Sequence, residues 1–149
     1  VYNKYLEDLG LTRDDYDYTT WTEGKKLKKI RKKTGLDFRA CYNFDNTIAF
    51  YLYSMLKLYS KYTITALDYE KCQYGDFYGT LGEAIRQVRK GLKLYIKYGF
   101  SMISLTDKQK GKVAKYLGVS IDDLKEDALI SVYKKAMHLY ADIAPYIWD

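Results

Sequence analysis

Thr80 and Glu83 stand three residues apart at the head of TLGEAIRQVRKGLKLYIKYG, the segment 80–99 that most restricts how this chain folds. At that spacing the threonine hydroxyl accepts a hydrogen bond from the glutamate amide while the glutamate carboxylate accepts one from the threonine amide, so a helix begins at a defined residue. Leu81, Ala84, Ile85, Val88, Leu92, Tyr95 and Ile96 recur at three- and four-residue steps, and Gly99 supplies the residue that most easily turns left-handed at a helix end. The far side of the same helix carries Arg86, Lys90, Lys93 and Lys97, with Arg89 beside them, and beyond Glu83 the segment holds no acid to neutralise them. One side is core and the other a cationic stripe.

The remainder of the chain must supply what that helix packs against. A length of 149 residues suits one ordinary domain with its own core, without disulfide or metal staples, so a single helical domain over 1–149 is expected. With 48% hydrophobic and 30% charged residues the composition is that of a folded chain, and no apolar run approaches the roughly 20 residues needed to cross a bilayer. The opening residues, VYNKYLEDLG, lack the charged-then-apolar pattern of a secretion signal, which makes the cytoplasm the expected compartment.

Residues 1–9 place Tyr2, Tyr5, Leu6 and Leu9 on one side of a short helix ended by Gly10, and 11–22 read as an acidic, aromatic surface loop pinned by Trp21. From Lys25 to Lys33 the character reverses: Lys25, Lys26, Lys28, Lys29, Arg31, Lys32 and Lys33 are interrupted only by Leu27 and Ile30, and Gly35 closes the segment. Asp45 or Asn46 then caps an apolar helix running to Tyr62. Ile48, Leu52, Met55, Tyr59 and Tyr62 are expected as its core row, flanked by Tyr51 and Leu58, and the helix is expected to pack centrally beside 81–98.

The β-branched start of TITALDYEKCQYGDFYG and the run 99–105, GFSMISL, are two short strand candidates able to pair. Thr106 and Gln109 repeat the capping-box spacing and open a helix to Leu117, which Gly118 breaks. Ser120 is expected to cap a last helix from Ile121 to about Ala144, with Leu124, Ala128, Val132, Ala136, Leu139 and Ile143 inward and Pro145 as its stop. The fold class expected is mainly α, a compact bundle of five or six helices with room for one short two-stranded β element.

The motifs favour binding over catalysis. His138 is the only histidine and is read as a packed or helix-end side chain; Cys41 and Cys72 are too few and too far apart for a zinc site and are read as free thiols. No Gly-rich phosphate loop, GxSxG elbow or HExxH is present, so the expectation is no enzyme, no metal and no cofactor. Asp68, Glu70 and Lys71 crowd together without the spacing of a metal nuclease. The segment 110–130, KGKVAKYLGVSIDDLKEDALI, resembles a helix-turn-helix, but its second helix would lead with Asp122, Asp123, Glu126 and Asp127, the wrong charge for a groove in a polyanion.

The formal charge of +6 is clustered in the two basic segments, 25–33 and the stripe Arg86, Arg89, Lys90, Lys93 and Lys97. Such faces gain affinity for phosphate backbones by counterion release, and the 18 tyrosines offer stacking surfaces as well as core. The expected partners are nucleic acid, a nucleoprotein or an acidic protein surface, with self-association allowed and no membrane contact, since 25–33 lacks an interfacial apolar side. The run FDNTIAFYLYSMLKLYSKYT followed by YGTLGEAI and a basic helix, over about residues 43–98, resembles small uncharacterised helical proteins encoded by bacteriophages. That resemblance implies an accessory gene product that works by binding: an inhibitor docking on a host nucleoprotein machine or a virion component. In the virion case the aromatic stretches 16–21 and 146–148 would bury against neighbouring subunits.

Overall fold

The computed structural model describes residues 44–64, 66–99 and 102–147. In chain order these form helix α1 (Phe44–Tyr62), strands β1 (Lys71–Tyr74) and β2 (Phe77–Thr80), helices α2 (Leu81–Tyr98), α3 (Asp107–Leu117) and α4 (Ala128–Ile143), and a 3-10 turn, Ala144–Tyr146, that contains Pro145. The mainly helical class with a two-stranded element holds for these residues. Four α-helices lie among them, and the helices expected at 1–9 and 25–33 fall outside the described residues. The chain divides into two compact units, 1–48 and 49–149. Of the first, the described residues are the opening turns of α1.

Helix α2 begins as its sequence requires. Glu83 donates its amide to Thr80 Oγ1 at 3.1 Å, and Thr80 donates its own to Glu83 Oε2 at 2.9 Å. At the other end Gly99 takes φ +67°, with its N–H on the carbonyl of Tyr95. Ala84, Ile85, Val88, Leu92, Tyr95 and Ile96 are buried as the periodicity predicts, while Leu81 stays half-buried. Fully burying one such aliphatic side chain contributes about 1.5–3 kcal/mol, so this face is the main anchor of the helix.

The principal neighbour of α2 among the described elements is α4, not α1 as expected. Ala128, Val132, Ala136, Leu139 and Ile143, spaced four, four, three and four, form the buried row of α4 together with Leu129. Gly91 and Ala136 let the two helices approach, and the rings of Tyr95 and Tyr133 pack at 4.7 Å between centroids. Helix α3 adds Val113, Ala114 and Tyr116 to this core, capped by the predicted Thr106–Gln109 box and closed by Gly118 in the left-handed conformation.

The last helix starts at Ala128 rather than Ile121. Ser120 does cap, but it caps a single turn: its hydroxyl accepts from the Asp123 amide and donates to Asp123 Oδ2 at 2.7 Å, and Leu124 N–H reaches the carbonyl of Ile121. Short polar side chains that bond locally compete with helix propagation, and Ser120 with Asp123 does so here. The ten residues 118–127 between α3 and α4 are also too long for the three- or four-residue turn of a helix-turn-helix.

The sheet is a hairpin between β1 and β2, antiparallel with Cys72 opposite Gly79 and Tyr74 opposite Phe77. It does not involve 99–105: of that run, residues 102–105 turn, with Leu105 N–H on the carbonyl of Met102. A two-residue connection, Gly75 with φ +55° followed by Asp76, makes the local pairing possible, since the twist of such hairpins wants a positive φ at the first loop position. Tyr74 packs edge-on against Tyr146 and ties the hairpin to the end of α4.

Helix α1 buries a side shifted from the one predicted, with Leu52 common to both. Ala49, Phe50, Leu52, Tyr53 and Leu56 are buried, whereas Met55 and Tyr62 of the predicted core row, together with Tyr51 and Leu58, are exposed. Being apolar over most of its circumference, the helix offers two apolar sides, and periodicity alone does not choose between them. No described helix is long and apolar enough to cross a membrane.

Candidate functional site

The sequence singles out two basic segments. Lys25, Lys26, Lys28, Lys29, Arg31, Lys32 and Lys33 lie outside the described residues, so the candidate surface is the outward side of α2. Its five cations divide into two groups. Arg86 and Arg89 are engaged by neighbouring side chains, and Lys90, Lys93 and Lys97 have no ion-pair partner among the described residues.

Arg86 forms a two-pronged ion pair with Asp68, Nη2 to Oδ1 at 3.0 Å and Nη1 to Oδ2 at 3.3 Å. Asp68 Oδ1 also accepts from Thr80 Oγ1 at 2.8 Å, and the neighbouring Leu67 carbonyl accepts from Gly82 N–H at 2.8 Å. The lack of a side chain at Gly82 is what admits this strap, because a Cβ there would meet the Asp68 carboxylate. The guanidinium holds the Asp68 carboxyl below the usual carboxylate range, with the Thr80 hydroxyl assisting, and the carboxylate in turn raises Arg86. The pair therefore fastens the chain before the hairpin onto the first turn of α2.

Arg89 is half-buried with its guanidinium over the ring of Tyr53, 5.3 Å from the centroid, and its Nε is buried without a hydrogen-bond partner. It links α2 to α1 and is a packing residue rather than an exposed charge. Arg86 and Arg89 of the predicted stripe are thus not free cations.

Lys90 and Lys97 are exposed and Lys93 is half-exposed, at steps of three and four along one side of α2. They span about 10 Å of helix axis. None has an ion-pair partner among the described residues, and the nearest acid in sequence, Glu83, is spent on the cap. The lysines ride on the helix with the best-buried opposite side, so their backbone positions are held while their side chains are free to reach a ligand.

A second lysine row escaped the sequence reading. Lys108, Lys112 and Lys115 are exposed at steps of four and three on α3, opposite buried Val113 and Tyr116, with Asp107 the only acid in that helix. Its signal is present in DKQKGKVAK, where the lysines recur at three- and four-residue steps. Lys135 on α4, by contrast, donates to the Tyr116 carbonyl at 2.9 Å and lies over that ring.

The remaining chemical candidates are dispersed. His138 is exposed and lies more than a turn before the end of α4, neither packed nor at the helix end as expected. Asp68 is committed to Arg86 and Thr80. Among the described residues no three His, Cys, Asp or Glu side chains are grouped to hold a metal ion. Cys72 is a half-buried free thiol on β1; Cys41 lies outside the described residues. No family model, no curated protein and no solved structure matches the chain.

Proposed function

We propose that this protein is a non-catalytic binding protein that docks through lysine-rich helical sides on nucleic acid or on a nucleoprotein. The observation that carries the reading is the contrast within α2: in its first half Asp68 neutralises Arg86, the cap holds Glu83 and Arg89 packs on Tyr53, while Lys90, Lys93 and Lys97 on its second half have no ion-pair partner among the described residues. A row of cations on a well-anchored helix suits the spaced negative charge of a phosphate backbone and needs no particular base sequence. In the setting that the phage resemblance implies, such a protein is an accessory product that acts by occupying its target.

The test is binding of the purified chain to labelled single- and double-stranded nucleic acid over a salt series, with Lys90→Glu, Lys93→Glu and Lys97→Glu combined. Tight, salt-steep binding lost in the triple variant supports the reading. Absence of binding at low salt overturns it in favour of a protein partner.

A second reading, a structural or assembly protein, draws support from Tyr146. Its ring is 55% exposed yet braced edge-on by Tyr74, the arrangement of a rigid aromatic anchor for a neighbouring subunit. Tyr146→Ala would then abolish partner capture with little dependence on salt.

A further inference from the structure

Helix α1 carries an apolar row that the described residues leave open. Tyr51, Met55, Leu58 and Tyr62 recur at steps of four, three and four, and are 45%, 57%, 38% and 67% exposed. At those steps they stand one above another on a single side of the helix. The opposite side holds Ala49, Phe50, Tyr53 and Leu56, all buried, so the helix is fixed while this row faces outward. A continuous exposed apolar row of this kind marks a contact surface rather than scattered surface residues.

The order of the row identifies its occupant. Tyr, Met, Leu, Tyr at steps of four, three, four reads nearly the same in both directions, with a centre between residues 56 and 57. Two-fold contacts require a surface that complements itself, and an antiparallel pair of helices brings together positions whose numbers have a constant sum. About that centre Tyr51 faces the second copy's Tyr62, and Met55 faces the second copy's Leu58, so aromatic meets aromatic at the two ends and aliphatic meets aliphatic between them. Lys61, whose ammonium lies over its own Tyr62 ring at 4.9 Å, is then level with the second copy's Leu52. The two Lys61 side chains fall at opposite ends of the contact, about 14 Å apart along the axis, and do not repel at close range.

We propose that α1 is a self-association surface on which a second copy of this chain packs antiparallel in that register. The four side chains, already partly covered, offer roughly 400 Å² per copy and about 800 Å² for the pair, the range of weak and concentration-dependent complexes. The inference does not rest on the nucleic-acid reading, because the lysines of α2 take no part in it.

Sedimentation equilibrium of the full chain from about 1 to 500 μM tests it, since contacts of that size give micromolar or weaker association. The wild type is expected to pass from monomer to dimer, and Met55→Lys or Leu58→Glu alone to weaken the dimer at least about tenfold. Both positions are exposed, and an unchanged circular dichroism spectrum and melting temperature confirm that each variant is folded. Met55→Lys and Leu58→Glu combined in one chain place opposite charges across the contact twice, and dimerisation is expected to return. A wild type that stays monomeric throughout overturns the proposal, as does a dimer that neither single variant weakens. Loss in both single variants without recovery in the double overturns the antiparallel register.

Discussion

The phenol oxygen of Tyr116 lies against the backbone of Gly91, in the volume that a Cβ on that residue would fill. The same Cβ would stand 2.9 Å from the Cβ of Ala136, so α2, α3 and α4 meet at one point that only glycine leaves open. Tyr116 and Ala136 are both buried and neither yields cheaply. Gly91→Ala gains up to about 1 kcal/mol of helix propensity and loses about 1–3 kcal/mol to overpacking. A net destabilisation of about 1–2 kcal/mol is expected in urea unfolding followed by circular dichroism, and a stabilised variant would show that the crossing relaxes.

That same hydroxyl is buried without a hydrogen-bond partner, and desolvation pushes its ionisation far above the ordinary tyrosine value. Removing an unsatisfied buried polar atom is neutral or favourable, so Tyr116→Phe should leave stability unchanged or raise it by up to about 1 kcal/mol. In the Gly91→Ala background the gain should be larger, because the substitution also removes the nearest of the obstructing atoms, although the ring Cζ that phenylalanine keeps still crowds the added methyl. A double-mutant cycle reads the difference as a coupling of about 0.5–3 kcal/mol. Equal effects in both backgrounds would mean that the ring, not the hydroxyl, opposes the added methyl.

The Asp68–Arg86 strap predicts a dependence on acid. The Asp68 carboxyl is held below its ordinary value in the folded protein, so between its folded and unfolded values the unfolded chain binds more protons. The contribution is therefore present at neutral pH and above the unfolded value, and is lost as pH falls through the folded one, below about pH 4. Asp68→Asn should flatten the stability profile in that window and leave the slope at higher pH unchanged. The pair is more than half exposed, so salt should reduce its effect at neutral pH.

The two capping boxes differ in depth and should differ in worth. Thr80 is buried and its hydroxyl serves both the Glu83 amide and Asp68, whereas Thr106 is exposed and serves the Gln109 amide. Replacing an N-cap threonine with alanine costs about 0.5–2 kcal/mol. Thr80→Ala is expected near the upper end and Thr106→Ala near the lower, measured by thermal or urea unfolding; the reverse order would mean that the link to Asp68 adds nothing.

Where the fold was legible, the signal was local and complete. Helices α2 and α3 each carry both halves of a capping box and a closing glycine, which define their ends to within a residue or two. The start of α4 at Ala128 is not legible in the sequence, because Ser120 and Asp123 satisfy one another within a single turn that looks the same in sequence as the opening of a helix. The buried side of α1 keeps Leu52 of the expected row but not Met55 or Tyr62, because Phe50, Tyr53 and Leu56 compete with them for the core and only tertiary packing decides. The candidate site had the same limit: the spacing of Arg86 with Lys90, Lys93 and Lys97 was readable, but its capture by Asp68, eighteen residues earlier, was not.

That capture sharpens what the lysine row must do if it meets a phosphate backbone. Each lysine that neutralises a phosphate releases a counterion and contributes about 0.9 to the slope of log K against log salt on duplex. Lys90→Gln, Lys93→Gln and Lys97→Gln together should make the slope shallower by about 2–3, whereas Arg86→Gln should alter it little, since Asp68 already neutralises that cation. The expected result is near-equal binding of triple variant and wild type at high salt and a wide separation at low salt, measured by fluorescence anisotropy. Parallel salt plots, displaced by a constant amount, would mean that the lysines act by shaping the surface and not by touching phosphates. The exposed row on α3 supplies the control: Lys108→Gln, Lys112→Gln and Lys115→Gln should add a further fall in slope only if the bound strand also runs along that helix.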